Sequence, residues 1–138
     1  MAGAARLEVL LDGLTFPEGP RWRDGLLWFS DFYTFRVMTV DLEGKARTIV
    51  AVPKRPSGLG WTPDGTLLVV SMLDHRLMRL EGGTLREVAD LSDLAAVRSV
   101  VPAAEQAFGC LDILVNAAGD TDRGTIFETS PELYARIM

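Results

Sequence analysis

Forty residues separate two versions of one pattern. Asp24-Gly25 is followed by LLWFS, then Arg36-Val37-Met38, then Val40-Asp41; Asp64-Gly65 is followed by TLLVVS, then Arg76-Leu77-Met78, then Leu80-Glu81. Trp22 and Trp61 stand just ahead of the two units, one residue out of register. A repeat of this length implies one supersecondary unit used twice, each copy burying its faces against a neighbour. The local chemistry says which unit. Asp-Gly between extended runs favours a tight turn, because Gly tolerates positive φ. LLWFS and LLVVS are short apolar runs suited to buried strands. RVMTVD alternates, with Val37, Thr39 and Asp41 on one face and Arg36, Met38 and Val40 on the other. ARTIVAV and TLREVA supply more polar outer strands. About four strands in about forty residues predict two antiparallel blades of the β-propeller type over residues 1–90.

From Leu91 the period changes. Leu94, Val97, Val101, Ala104 and Phe108 fall at helical spacing. Ser92 is the expected N-cap and Gly109 the expected stop, while Pro102 is expected to kink or split the helix. LDILVNAAG then reads as a buried parallel strand. TSPELYARIM reads as a second helix, with Ser130 as cap, Pro131 at the first helical position and Glu132 beside the positive end. The expected fold class is therefore mixed α and β: two blades, then a helix–strand–helix slice of a Rossmann-like α/β sheet over residues 91–138.

Composition excludes several classes of function. A net charge of −5 leaves no basic stripe for nucleic acid. No apolar run approaches the roughly 20 residues of a membrane helix. Arg6 and Glu8 interrupt the apolar start, so it lacks the core of a signal peptide. Cys110 is the single cysteine, which rules out an internal disulfide. A cytoplasmic setting is the expectation.

Two stretches resemble known families. FPEGPRWRDGLLWFSD and RPSGLGWTPDGTLLVVSM are similar to the first blades of the gluconolactonase and regucalcin (senescence-marker) family, over about residues 7–95. The resemblance implies a six-bladed propeller with a divalent metal (calcium, zinc or manganese) near the central channel, and hydrolysis of a small-molecule lactone. It places a metal-ligating carboxylate at Glu18. A hard cation wants oxygen ligands and then acts as a Lewis acid on an ester carbonyl. That family also draws an Asn and an Asp from later blades, and Asn116 is the single Asn of this chain, outside the propeller-like half.

AFGCLDILVNAAG followed by DRGTIFETSPELYARIM resembles the middle of the short-chain dehydrogenases/reductases, over about residues 90–138. That resemblance implies NAD(P), with Asp90 at adenine and Asn116, Ala117, Ala118 and Gly119 along the cofactor; small residues let a flat cofactor approach the backbone. The family's Tyr-x-x-x-Lys pair is missing: Val37 follows Tyr33 at that distance, and Met138 follows Tyr134. No glycine-rich turn precedes Asp90. The expectation is a chimeric chain, joined within residues 89–96, with catalytic residues assigned to neither half and no competence alone. Self-association through unpaired strand edges is the third reading.

The remaining candidates have plainer explanations. DTDRG fails as a calcium loop because Pro131 stands where a bidentate Glu is needed. His75, the single histidine, is expected in an exposed turn, and no G-x-S-x-G nucleophile motif is present. Cys110 reads as an inert thiol, and Trp22, Trp28 and Trp61 as packing residues.

Overall fold

A computed structural model describes residues 7–108. The chain divides between Val100 and Val101 into two units, and both sheets lie in the first. Sheet 1 runs β1 (Pro17–Arg23), β2 (Leu26–Asp31), β3 (Arg36–Val40) and β4 (Ala46–Ala51); sheet 2 runs β5 (Pro56–Trp61), β6 (Leu67–Ser71), β7 (Arg76–Glu81) and β8 (Thr84–Asp90). Each is a four-stranded antiparallel meander in sequence order, the arrangement expected of a blade.

Sequence patterning located three strands of each unit and missed the first. PEGPRWR and PSGLGW carry Pro and Gly, which ordinarily count against a strand. They are tolerated here because each is an edge strand of its sheet, and each is bulged at the same place. The register slips between Glu18 and Arg21 in β1 and between Pro56 and Leu59 in β5. A second pair of slips, at Val37/Met38 and Leu77/Met78, also coincides. Repeated bulges show that the two sheets are one design.

The turns explain the register mismatch of the tryptophans. Asp24 and Gly25, at φ 52° and 77°, close β1–β2 in two residues, whereas Thr62–Thr66 close β5–β6 in five. The last hairpins reverse this: Asp41–Lys45 against the two glycines Gly82 and Gly83, at φ 55° and 81°. One register consequence is a correction. Asp31 pairs with Pro17 and Arg36, and Ser71 pairs with Pro56 and Arg76. Ser71 therefore takes the place of Asp31, not that of Ser30 as the strings LLWFS and LLVVS suggest.

Alternation sets the two faces of each sheet. Val37 of sheet 1 and Val52, just after β4, meet Leu59, Leu67 and Val69 of sheet 2 in the buried core between the sheets. Each such side chain contributes about 1.5–3 kcal/mol relative to exposure. Trp28 and Trp61 meet edge to face across this core at 5.3 Å. Arg23 lies 4.9 Å from the Trp61 ring centre. The other face of sheet 1 carries Phe29, Met38 and Val40, partly covered by Leu11 and Leu14 from the segment before β1.

Helix α1 (Leu94–Phe108) runs through Pro102 without splitting. Asp93, not Ser92, caps it: its Oδ1 accepts the Ala95 N–H at 2.8 Å, and its carbonyl accepts the Val97 N–H at 2.9 Å. Ser92 is engaged one turn earlier, its N–H donating to Asp90 Oδ1 at 2.9 Å. The predicted strand through Asn116 and the final helix lie outside the described residues. Among the described residues no helix is long and apolar enough to cross a membrane.

Candidate functional site

Glu18 sits on β1, the strand of sheet 1 that lies beside β5. The bulge that follows it depends on Gly19 at φ 61°. A Cβ on Gly19 would stand 3.1 Å from the Ser57 carbonyl oxygen, so glycine permits the close approach as well as the dihedral. The Ser30 hydroxyl, opposite Glu18 in the register, donates to that same carbonyl at 2.7 Å. Ser57 is the counterpart of Glu18 in sheet 2, so the repeat places a carboxylate in one sheet and a hydroxyl in the other.

The Glu18 carboxylate has a buried oxygen, Oε1, that accepts no hydrogen bond. An unpartnered buried carboxylate oxygen is costly and asks for a cation or donor. Glu18 also borders a cavity of about 380 Å³ whose other walls are apolar, among them Leu11, Leu14, Leu27, Phe29 and Val40. The donor chemistry fits one position of a hard-cation site. It is not a cage: among the described residues no three His, Cys, Asp or Glu side chains come together.

Sequence reasoning passed over Asp31, a buried acid that accepts four hydrogen bonds from Thr15, Phe16 and Thr34. Its side chain is fully buried. Oδ1 accepts the N–H groups of Thr15 and Phe16 at 3.1 and 3.0 Å and the Thr15 hydroxyl at 2.8 Å. Oδ2 accepts the Thr34 hydroxyl at 2.6 Å and faces the Arg36 guanidinium at 3.4 Å. Burial raises its pKa, but the hydrogen bonds from Phe16, Thr34 and Thr15 outweigh burial and leave it at about 2. Asp31 thus fixes the chain immediately before Glu18. Thr34 and Arg36 are near in sequence, but Thr15 and Phe16 lie 16 and 15 residues away, so no local motif announces that tie.

Arg55 adds a second clasp between the sheets. Its guanidinium lies 4.9 Å from the Phe32 ring centre and 5.2 Å from that of Tyr33. Its backbone is held at φ 69°, in the left-handed region, a strain kept where the surroundings over-determine it.

Asp90, the expected adenine contact, ends β8 far along the strand order from Glu18. Both oxygens are engaged: Oδ1 accepts from the Ser92 N–H and hydroxyl, and Oδ2 pairs with Arg76. The Ser92 hydroxyl and N–H, with Arg76, hold its pKa below the ordinary carboxylate value. Asn116, Ala117, Ala118 and Gly119 lie outside the described residues, as does Cys110. His75 is an exposed turn residue at φ 53°, as expected. Trp28 and Trp61 pack as expected, whereas Trp22 is 58% exposed.

The family model for the SMP-30/Gluconolactonase/LRE-like region matches residues 16–105, more than half of the chain. The chain belongs to that family. A gluconolactonase from Xanthomonas campestris shares the fold with a TM-score of 0.53 and 20% identity, over 58% of this chain and 28% of its own. The family member described here thus spans little more than a quarter of that enzyme's length. A 49-residue stretch is 41% identical to dehydrogenase/reductase SDR family member 7B of Bos taurus, taking in 36% of this chain and 15% of that protein.

Proposed function

We propose that this chain contributes to metal-dependent hydrolysis of a lactone, with Glu18 as an oxygen ligand of a calcium, zinc or manganese ion. The observation that carries the reading is the buried, unpartnered Glu18 Oε1 on the first strand of a chain from the SMP-30/Gluconolactonase family. When bound, the ion would supply a Lewis acid for the lactone carbonyl or for a water. Three groups position Glu18: Gly19 lets β1 approach β5, the Ser30–Ser57 bond ties β2 to β5, and Asp31 ties the segment before β1 to β2. Glu18 would supply one ligand; among the described residues no cluster of three His, Cys, Asp or Glu side chains completes the set.

Calorimetric titration of the 138-residue chain with each cation tests this. Saturable heat is expected for one of the ions, and its loss in Glu18→Gln. No binding at millimolar metal would overturn the reading.

The second reading is a nucleotide-binding remnant of a short-chain dehydrogenase, a chimeric join following the blades. It rests on the 49-residue match and on Asn116 to Gly119. A rise in melting temperature with NAD(H) or NADP(H) would support it; no rise at millimolar nucleotide would end it.

A further inference from the structure

Two charged groups at one end of the sheets are left unmatched, and they do not match each other. The first is Glu18, whose buried Oε1 accepts no hydrogen bond. The second is Arg55. Among the described residues five arginines are half-buried: Arg23, Arg36, Arg55, Arg76 and Arg79. Four of them have an acid within 3.4 Å: Arg23 has Asp24, Arg36 has Asp31, Arg76 has Glu87 and Arg79 has Asp64. Arg55 has no such acid among the described residues, and its buried Nε–H finds no acceptor.

The Arg55 guanidinium lies against the rings of Phe32 and Tyr33 instead, 4.9 and 5.2 Å from their centres. Stacking uses the flat of the guanidinium and leaves the in-plane N–H donors at its edge. The platform is packed in place: Phe16, Phe32 and Tyr33 meet one another edge to face at 4.9–5.9 Å. The Arg55 backbone is also tied, its N–H donating to the Val52 carbonyl at 3.0 Å and its carbonyl accepting the Met72 N–H at 2.8 Å. Phe16 and Tyr33 are each about half-exposed, and Lys54 adds an exposed cation beside Arg55. Asp74, in the turn whose Leu73 N–H bonds to the Lys54 carbonyl, pairs with neither cation.

Glu18 and Arg55 belong to the same end of the sheets. Glu18 lies opposite Ser30 and Pro17 opposite Asp31, directly before the Phe32–Thr34 turn that carries the rings. Arg55 stands two residues before Ser57, whose carbonyl receives the Ser30 hydroxyl at 2.7 Å. Phe16 stands two residues before Glu18, about 7 Å of extended chain.

We propose, resting on the lactonase reading, that Arg55 is a specificity-determining residue that binds a carboxylate carried by the lactone, so that the substrate class is an acidic lactone and not a neutral one. The edge of the guanidinium pairs with the carboxylate in plane. Phe16 and Tyr33 flank the pair with apolar surface, which lowers the local dielectric and strengthens it.

Calorimetric titration of the full chain with two lactones that differ in one group tests this: γ-butyrolactone, and the same ring bearing a carboxylate on its γ carbon. A chelator in both titrations removes any ion from Glu18, so this result and the metal titration stand or fall separately. The carboxylated ring is expected to bind at least about tenfold more tightly than the neutral one, and the preference should shrink as salt is added. Arg55→Gln should abolish the preference. Arg55→Lys, with the charge but without the planar fork, should keep only part of it, and it becomes the deciding variant if Arg55→Gln loses its β-sheet circular dichroism spectrum. No binding of the carboxylated ring at millimolar concentration, equal affinity for the two rings, or an undiminished preference in the folded variants overturns the proposal. Inorganic phosphate binding as tightly as the carboxylated ring overturns it as well.

Discussion

The two sheets share strand order and bulges, yet they hold the same arginine by opposite means. In sheet 1, Arg36 turns back to Asp31 on β2; in sheet 2, Arg76 reaches forward to Asp90 on β8. The registers make Ser71 the counterpart of Asp31, and Ala51 the counterpart of Asp90. Moving the acid from one side of the arginine to the other changes what the sheet can hold. Asp31, buried, also takes the backbone of Thr15 and Phe16 and so ties the incoming chain in front of Glu18. Asp90, half-exposed, binds the Ser92 turn that leads to α1. The scaffold is common to both sheets; the acid that satisfies the arginine decides which end of the meander is fastened.

Removing that acid should separate the sheets most clearly. Asp31→Ala strands four donors and the Arg36 charge, so a loss of about 3 kcal/mol is expected in urea unfolding. Ser71→Ala, at the matching position, should cost about 1 kcal/mol or less. The pH dependence follows the same comparison. The folded pKa of Asp31 is depressed, from 3.8 to about 2. Its stabilisation is therefore fully present above about pH 4 and is lost as pH falls toward 2, about 2 kcal/mol in all. In Asp31→Asn the acid-limb slope should become shallower by that contribution, leaving the part that Asp64 and Asp90 supply, as read by unfolding midpoints measured across pH 2 to 5.

The turns sharpen the comparison further. Gly44 has φ 80°, and a Cβ there would stand 2.7 Å from the Leu10 carbonyl oxygen; Gly83 has φ 81° and open space around it. Gly83→Ala should cost about 1 kcal/mol, for the left-handed backbone alone. Gly44→Ala should cost about 2 kcal/mol or more, because the segment before β1 must also move. The smallest effect separates the two faces. Val69→Ile overfills the closed core between the sheets and should destabilise by about 1 kcal/mol, whereas Val40→Ile extends into the cavity and should stabilise by about 0.5 kcal/mol. Thermal melts of the two variants give opposite signs if the faces differ as described.

Much of the two-blade architecture was legible because its signals are local. Asp24-Gly25 specifies its own turn, and the alternation of RVMTVD places Val37 in the core between the sheets and Met38 on the outward face. What escaped reading was non-local. PEGPRWR and PSGLGW look like loops until a neighbouring strand pairs with them and a bulge absorbs the extra residue. The helix cap moved from Ser92 to Asp93 because Asp90 competes for Ser92. Glu18 was legible as a candidate through its family motif, but the missing partner of its Oε1 is visible only in three dimensions.

The central claim is that the two sheets form one cooperative body through the Val37–Val69 core, with the differences between them confined to their ends and outer faces. Native-state hydrogen exchange at low denaturant addresses it most directly. The amides of β2, β3, β6 and β7 should share one opening free energy, equal to that of global unfolding. Sheet 1 exchanging through an opening of its own, while sheet 2 stays protected, would contradict it.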